Sequence, residues 1–122
     1  MINKVILTGR LVRDPELRYS ESGVAFAKFT LAVERNFTNK EGERKTDFID
    51  VLAWRRQAEN CSEYLQKGSQ VAVEGRLQIR KTKKKEKTYI NPEVVADYVQ
   101  FMGGGRSNKK DKKQVKKTEA SG

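Results

Sequence analysis

Residues 47–73 read DFIDVLAWRRQAENCSEYLQKGSQVAV, and the period of their apolar positions changes twice. From Asp47 to Trp54 the period is two. Ile49, Val51 and Ala53 fall on one face and Phe48, Asp50, Leu52 and Trp54 on the other, as in a strand buried on one side. From Arg55 to Lys67 the spacing turns helical, with Ala58, Cys61 and Leu65 recurring three and four residues apart. Gly68 stands where a left-handed helix cap favours glycine, and beyond it the period returns to two. The stretch predicts a strand, one short helix and another strand.

Outward from it, period two dominates. In Val24–Glu34, Phe29, Leu31 and Val33 point one way and Lys28, Thr30 and Glu34 the other. In Ser69–Arg80, Val71, Val73, Leu77 and Ile79 take the inward side, and Glu74, Arg76, Gln78 and Arg80 the outward one. Segments 2–12 and 88–101 complete five strands. Asp14-Pro15, Ser22-Gly23, Glu41-Gly42 and the polar run Lys81–Lys87 are read as turns between them. Five strands with one helix between the third and fourth is the order of an all-β OB-fold barrel. An SH3-like barrel or an open sandwich shares the same periodicity. Gly9 and Gly75, inside strand runs, predict sharp bends or bulges. Pro92 lacks an N–H and is expected at an edge, a strand start or a bulge.

Composition bounds the function. The 122 residues carry 26 Lys+Arg against 16 Asp+Glu, a net charge of +10. Residues 1–102 hold 19 basic and 14 acidic side chains; residues 103–122 hold 7 and 2, so each part contributes +5. All but Val115 and Ala120 of the apolar residues lie in the first 102 positions, which predicts one domain over 1–102 and a disordered basic tail over 103–122. No apolar run is long enough to span a membrane, and the start shows no secretory pattern. A single cysteine, Cys61, fits a reducing, cytoplasmic setting and is most simply a small core residue. The absence of histidine removes His-based acid–base chemistry and His-containing metal sites; one cysteine builds no thiolate cage. Neither a metal, a cofactor nor an enzymatic activity is expected.

The outer face of the third strand carries two large aromatics, Phe48 and Trp54, and Phe37 lies just beyond the second strand between Arg35 and Lys40. Aromatics on a solvent face among cations are what single-stranded nucleic acid requires. Each base offers a π-face, while a basic groove tracks the phosphates. Arg10, Lys28, Arg35, Arg55, Arg56, Lys67, Arg80 and Lys81 lie in or beside the strands, and Lys83, Lys84, Lys85 and Lys87 continue the run, a positive finger if it forms a hairpin tip. Each feature has an ordinary counterpart: a rim aromatic, or lysines that deter edge pairing. An OB-fold RNA or primosome-type module shares the same pattern. So does a structural protein whose tail docks on an acidic partner.

Asn3–Leu11, Asp14-Pro-Glu-Leu-Arg-Tyr19, Phe29–Val33, Ser62–Val71 and Val73–Leu77 together resemble the bacterial single-stranded DNA-binding protein family, collinearly over about residues 1–102. The resemblance implies an OB fold that wraps single-stranded DNA without sequence preference in replication, recombination and repair. It also implies a homotetramer whose subunits pair into dimers through about residues 2–7. The family's stacking aromatics match Phe37, Phe48 and Trp54, and its basic backbone contacts match Lys4, Arg18, Lys67 and Lys81. Three departures stand out. A further stacking Trp of some members is Thr82 here. Tyr89-Ile-Asn-Pro-Glu93 is one residue longer than the pattern, which predicts a bulge near Asn91-Pro92. The family's acidic, Phe-terminated tip has no counterpart, so recruitment of repair enzymes through it is not expected.

Overall fold

The computed structural model describes residues 1–38 and 40–102, without the side chains of residues 37 and 38. The expected tail, 103–122, and the side chain of Phe37 lie outside the described residues. The elements run β1 (Val5–Leu11), β2 (Glu16–Tyr19), β3 (Ala25–Thr38), β4 (Arg44–Trp54), α1 (Arg55–Tyr64), β5 (Gln70–Lys84) and β6 (Lys87–Phe101). The sheet order is β1-β5-β6-β4-β3-β2, and a further pairing of β1 with β3 closes it. Five long strands therefore form the OB barrel. Every pairing is antiparallel except β4 with β6, which run parallel through Val51↔Val94 and Leu52↔Val95.

Alternation explains the core. Ala25, Ala27, Phe29 and Leu31 of β3 and Val51 and Ala53 of β4 point inward, with Val71 and Val73 of β5 and Val94 of β6. Helix α1 seals one end of the barrel with Ala58 and Cys61, and Leu65 follows them into the core. Gly9 and Gly75 permit the closure. A Cβ on Gly9 would stand 2.5 Å from the Ala32 carbonyl oxygen, and one on Gly75 would overlap the Val95 carbonyl. Close backbone approach of this kind is what a strand glycine supplies.

Several expectations are corrected. A short strand, β2, forms where only turns were predicted; it lies along β3 through Leu17↔Ala27 and Arg18↔Phe26. Helix α1 ends at Tyr64, not Lys67, because Leu65 turns extended to bury its side chain. Gly68 has φ +91 in the turn beyond, where its N–H donates to the Leu11 carbonyl at 2.8 Å rather than capping the helix. Leu52, on the outward side of β4, is buried because β6 runs beside it at Val95. Leu77 and Ile79 are 45% and 48% exposed, because the hairpin of β5 and β6 runs on past the barrel.

That hairpin also corrects the reading of Lys81–Lys87 as a turn. The ladder continues to Lys84↔Lys87, and only Lys85 and Glu86 turn, with φ of 50° and 68°. Positive φ at both central residues is the geometry that suits a two-residue hairpin loop. The bulge is not at Asn91-Pro92, which pair regularly with Arg80 and Ile79. The register shifts instead between Glu74↔Tyr98 and Gly75↔Ala96, skipping Asp97. Pro92 fits without a bulge. Leu77 directs its backbone groups away from β6, to the Asn3 side chain at 2.9 Å, and alternation puts Ile79 and its partner Pro92 in the same state two residues on. The missing N–H thus faces away from β5, toward the side where β4 pairs with β6 only at Val94 and Val95.

Candidate nucleic-acid interface

Arg18 of β2, Phe26 of β3 and Trp54 of β4 are successive cross-strand partners, so their side chains stand in one row on the outer face. Adjacent strands lie about 4.8 Å apart. Ala25 and Ala27 occupy the neighbouring inward positions, which sends Phe26 outward. Trp54 is 39% exposed. Its backbone is still extended, and Arg55, at φ +58, turns the chain into α1 beneath the barrel. This kink keeps the indole from packing under the helix. The Trp54 and Phe26 rings meet at 5.2 Å between centroids, tilted by 39°.

The row lies in a recess of about 570 Å³, whose opposite wall comes from Gln78 and Arg80 of β5 and Glu93 of β6. Glu93 is the one buried charged residue among the described residues. Its carboxylate accepts a hydrogen bond from Arg80 Nη2 at 3.1 Å, which anchors a half-exposed guanidinium at the groove wall. At the rim, Arg18 Nη2 donates to Glu16 at 2.7 Å. That contact holds the Glu16 carboxyl below its ordinary value and raises Arg18.

Lys28 joins this recess to a second, of about 760 Å³, rimmed by Arg13 and Lys67. There the Lys67 N–H donates to Asp14 at 2.8 Å, tying the turn after α1 to the turn before β2. Thr30 donates to Asp50 at 2.9 Å on the floor. The outer face thus offers two linked hollows with cations at their rims and an aromatic pair at one end.

Trp54, Arg18, Lys28 and Arg80 are brought together, with Lys67 in the adjoining hollow. Phe48 is 67% exposed and stands roughly 20 Å along β4 from Trp54, in a third depression beside Leu77 and Pro92 that adjoins the other two at Asp50 and Glu93. Lys4 pairs with Glu74, which raises its pKa, and Arg10 reaches the Gly68 carbonyl at 3.4 Å. Arg35 makes two bonds to Asp47 at 3.0 and 3.1 Å, lowering the Asp47 pKa. Arg55 and Arg56 are exposed at the start of α1. On the hairpin, Lys84 and its partner Lys87 share the Arg80 face, Lys81 and Lys83 the opposite one, and Lys85 sits in the turn. Phe26 escaped the sequence reading although its parity with Lys28 places it outward. Nothing in local sequence marks Glu93, whose burial depends on two strands meeting.

The model of the Single-strand binding protein family matches residues 2–102. The chain belongs to that family. Among its relatives, a Single-stranded DNA-binding protein of Staphylococcus aureus (strain MRSA252) is 54% identical over 110 residues, 88% of this chain and 70% of that protein. One of Halalkalibacterium halodurans is 53% identical over 103 residues, covering 84% of this chain and 61% of its own length. One of Bacillus cereus is 52% identical over 111 residues, 86% of this chain and 65% of the relative. Membership in a binding family agrees with the expectation that the chain is not an enzyme. No helix among the described residues is long and apolar enough to cross a membrane.

Proposed function

We propose that the chain binds and protects single-stranded DNA without sequence preference, in replication, recombination or repair. Bases stack on Trp54, Phe48 and Phe37, and phosphates are met by the lysines and arginines around them. One observation carries this: a half-exposed Trp54 held outside the core, in a recess bordered by Arg18, Lys28 and Arg80. An indole there costs the barrel no packing and offers a face to any base, while the cations supply a salt-sensitive attraction. Exposed Ile6, Leu77, Ile79 and Ile90 support association into a homotetramer. The basic segment 103–122 adds phosphate contacts, so removing it weakens binding and flattens the salt dependence.

The test uses the single tryptophan. Trp54 emission is followed while the protein is titrated with oligo(dT) and, separately, with duplex DNA at low and moderate salt. Quenching by single strands only, weakening with salt, is the expected result. Absent quenching, or an equal response to duplex, overturns the stacking role and leaves a general polyanion binder.

A further inference from the structure

Phe26 is the aromatic of the groove that the family resemblance does not single out. Its ring contributes nothing to the barrel interior, because Ala25 and Ala27 hold the inward positions on either side. It is flanked across the strands by Arg18 and by Trp54, whose ring it meets at 5.2 Å with a 39° tilt. It lines the same recess as Lys28 and Arg80. An aromatic that only supported Trp54 from below would belong to the inward side of β3. This one shares the outward side, in line with an arginine and a tryptophan.

We propose that Phe26 is a further single-strand-binding residue, which forms with Trp54 one two-ring platform on which nucleobases rest. The proposal rests on the stacking role given to Trp54 above. Two tilted rings on neighbouring strands widen the apolar surface across the groove beyond a single indole. Arg18 and Lys28 beside them are placed for the phosphates that such bases bring. The interaction selects nothing about base identity, since each base presents a π-face.

The experiment measures the affinity of the full-length chain for fluorescently labelled oligo(dT), by anisotropy at two salt concentrations, with thermal melting of each variant alongside. Phe26→Val keeps a strand-forming residue and is expected to weaken binding by about five- to a hundredfold, the range spanned by loss of one stacked base. Its salt dependence stays unchanged, because a ring displaces no counterions. Phe26→Tyr retains affinity within about twofold, the scale of an unperturbed stack. In a Trp54→Ala background, Phe26→Val weakens binding further. Three results overturn the proposal while leaving the stacking role of Trp54 in place. Phe26→Val binding like the parent while Trp54→Ala is weakened makes Phe26 a packing residue only. No further loss in the Trp54→Ala background makes it act through Trp54. Affinity that falls only in step with the melting temperature, for Tyr as for Val, makes the effect one of stability. If Trp54→Ala and Phe48→Ala both bind like the parent, the stacking role itself fails and takes the Phe26 platform with it.

Discussion

Arg80 and Glu93 form an unequal pair, since the Arg80 side chain is 51% exposed and that of Glu93 only 5%. Removing one partner therefore has unequal consequences. Arg80→Ala strands a buried carboxylate and is expected to cost about 3 kcal/mol, the range for breaking a buried pair. Glu93→Gln frees a guanidinium that water can reach and should cost no more than about 1 kcal/mol, the net worth of one hydrogen bond. Denaturant midpoints of the two variants check the order; equal losses contradict it. Cys61 gives a second prediction. Burial pushes its thiol up to about 12 from an ordinary 9.0. The native protein should thus resist alkylation at pH 8 and react only on unfolding. The folded state binds the proton more tightly, so the thiol's contribution to stability is intact below about pH 9 and is lost progressively as pH rises toward 12. A urea midpoint that does not fall over that window in the parent relative to Cys61→Ala refutes it. Helical spacing already marked Cys61 as core from sequence. Glu93 was not legible, because its environment is made by Arg80, 13 residues away, and by the outward side of β4.

At the scale of elements, the hairpin of β5 and β6 shows how lysines mislead. Local composition in Lys81–Lys87 favours a loop, yet the ladder runs through it, since cross-strand pairing extends from the barrel and each lysine points into water. Only Lys85 and Glu86 take up the positive φ that L residues adopt at a cost of about 1–2 kcal/mol each. Replacing the two by Asn and Gly should relieve part of that strain and raise the melting temperature by several degrees, with DNA binding altered only by the lost lysine. A lower melting temperature would show that the side chains of Lys85 and Glu86 contribute more than their backbone strain removes. The end of α1 was misplaced for a related reason. Gly68 is the right residue type for a cap, but burial of Leu65 ends the helix a turn earlier. The five long strands and the single helix were legible because each has one buried face and hence a period.

For the whole molecule, salt dependence separates free cations from paired ones. Each phosphate neutralised on a single strand contributes about 0.7 to the slope of log K against log salt. Lys28→Ala should therefore reduce that slope by about 0.7. Arg35→Ala and Lys4→Ala should change it less, because Asp47 and Glu74 already engage those cations. Equal effects from all three would show that DNA breaks the ion pairs. The apolar exposure of the barrel bears on assembly. Ile6 at 69% and Ile90 at 62% are large side chains that a second copy would cover. Sedimentation equilibrium should give about four times the 14.0 kDa chain mass, and Ile6→Glu, which would place a charge in that contact, should lower it. A monomeric parent would refute the tetramer.

The amino-acid sequence alone determined the order of the five long strands and the helix, most of the core face of those strands, the positive charge and, through collinear motifs, the family. These follow from short-range periodicity, which any segment displays by itself. Tertiary structure decided what depends on two segments meeting. It placed Phe26 against Trp54 and buried Glu93 under Arg80. Of the two places where a bulge was expected in the β5–β6 hairpin, pairing put it at Gly75, opposite Asp97, and left Pro92 regular. Barrel closure sets register, and register, not composition, chooses which outward residues share a hollow.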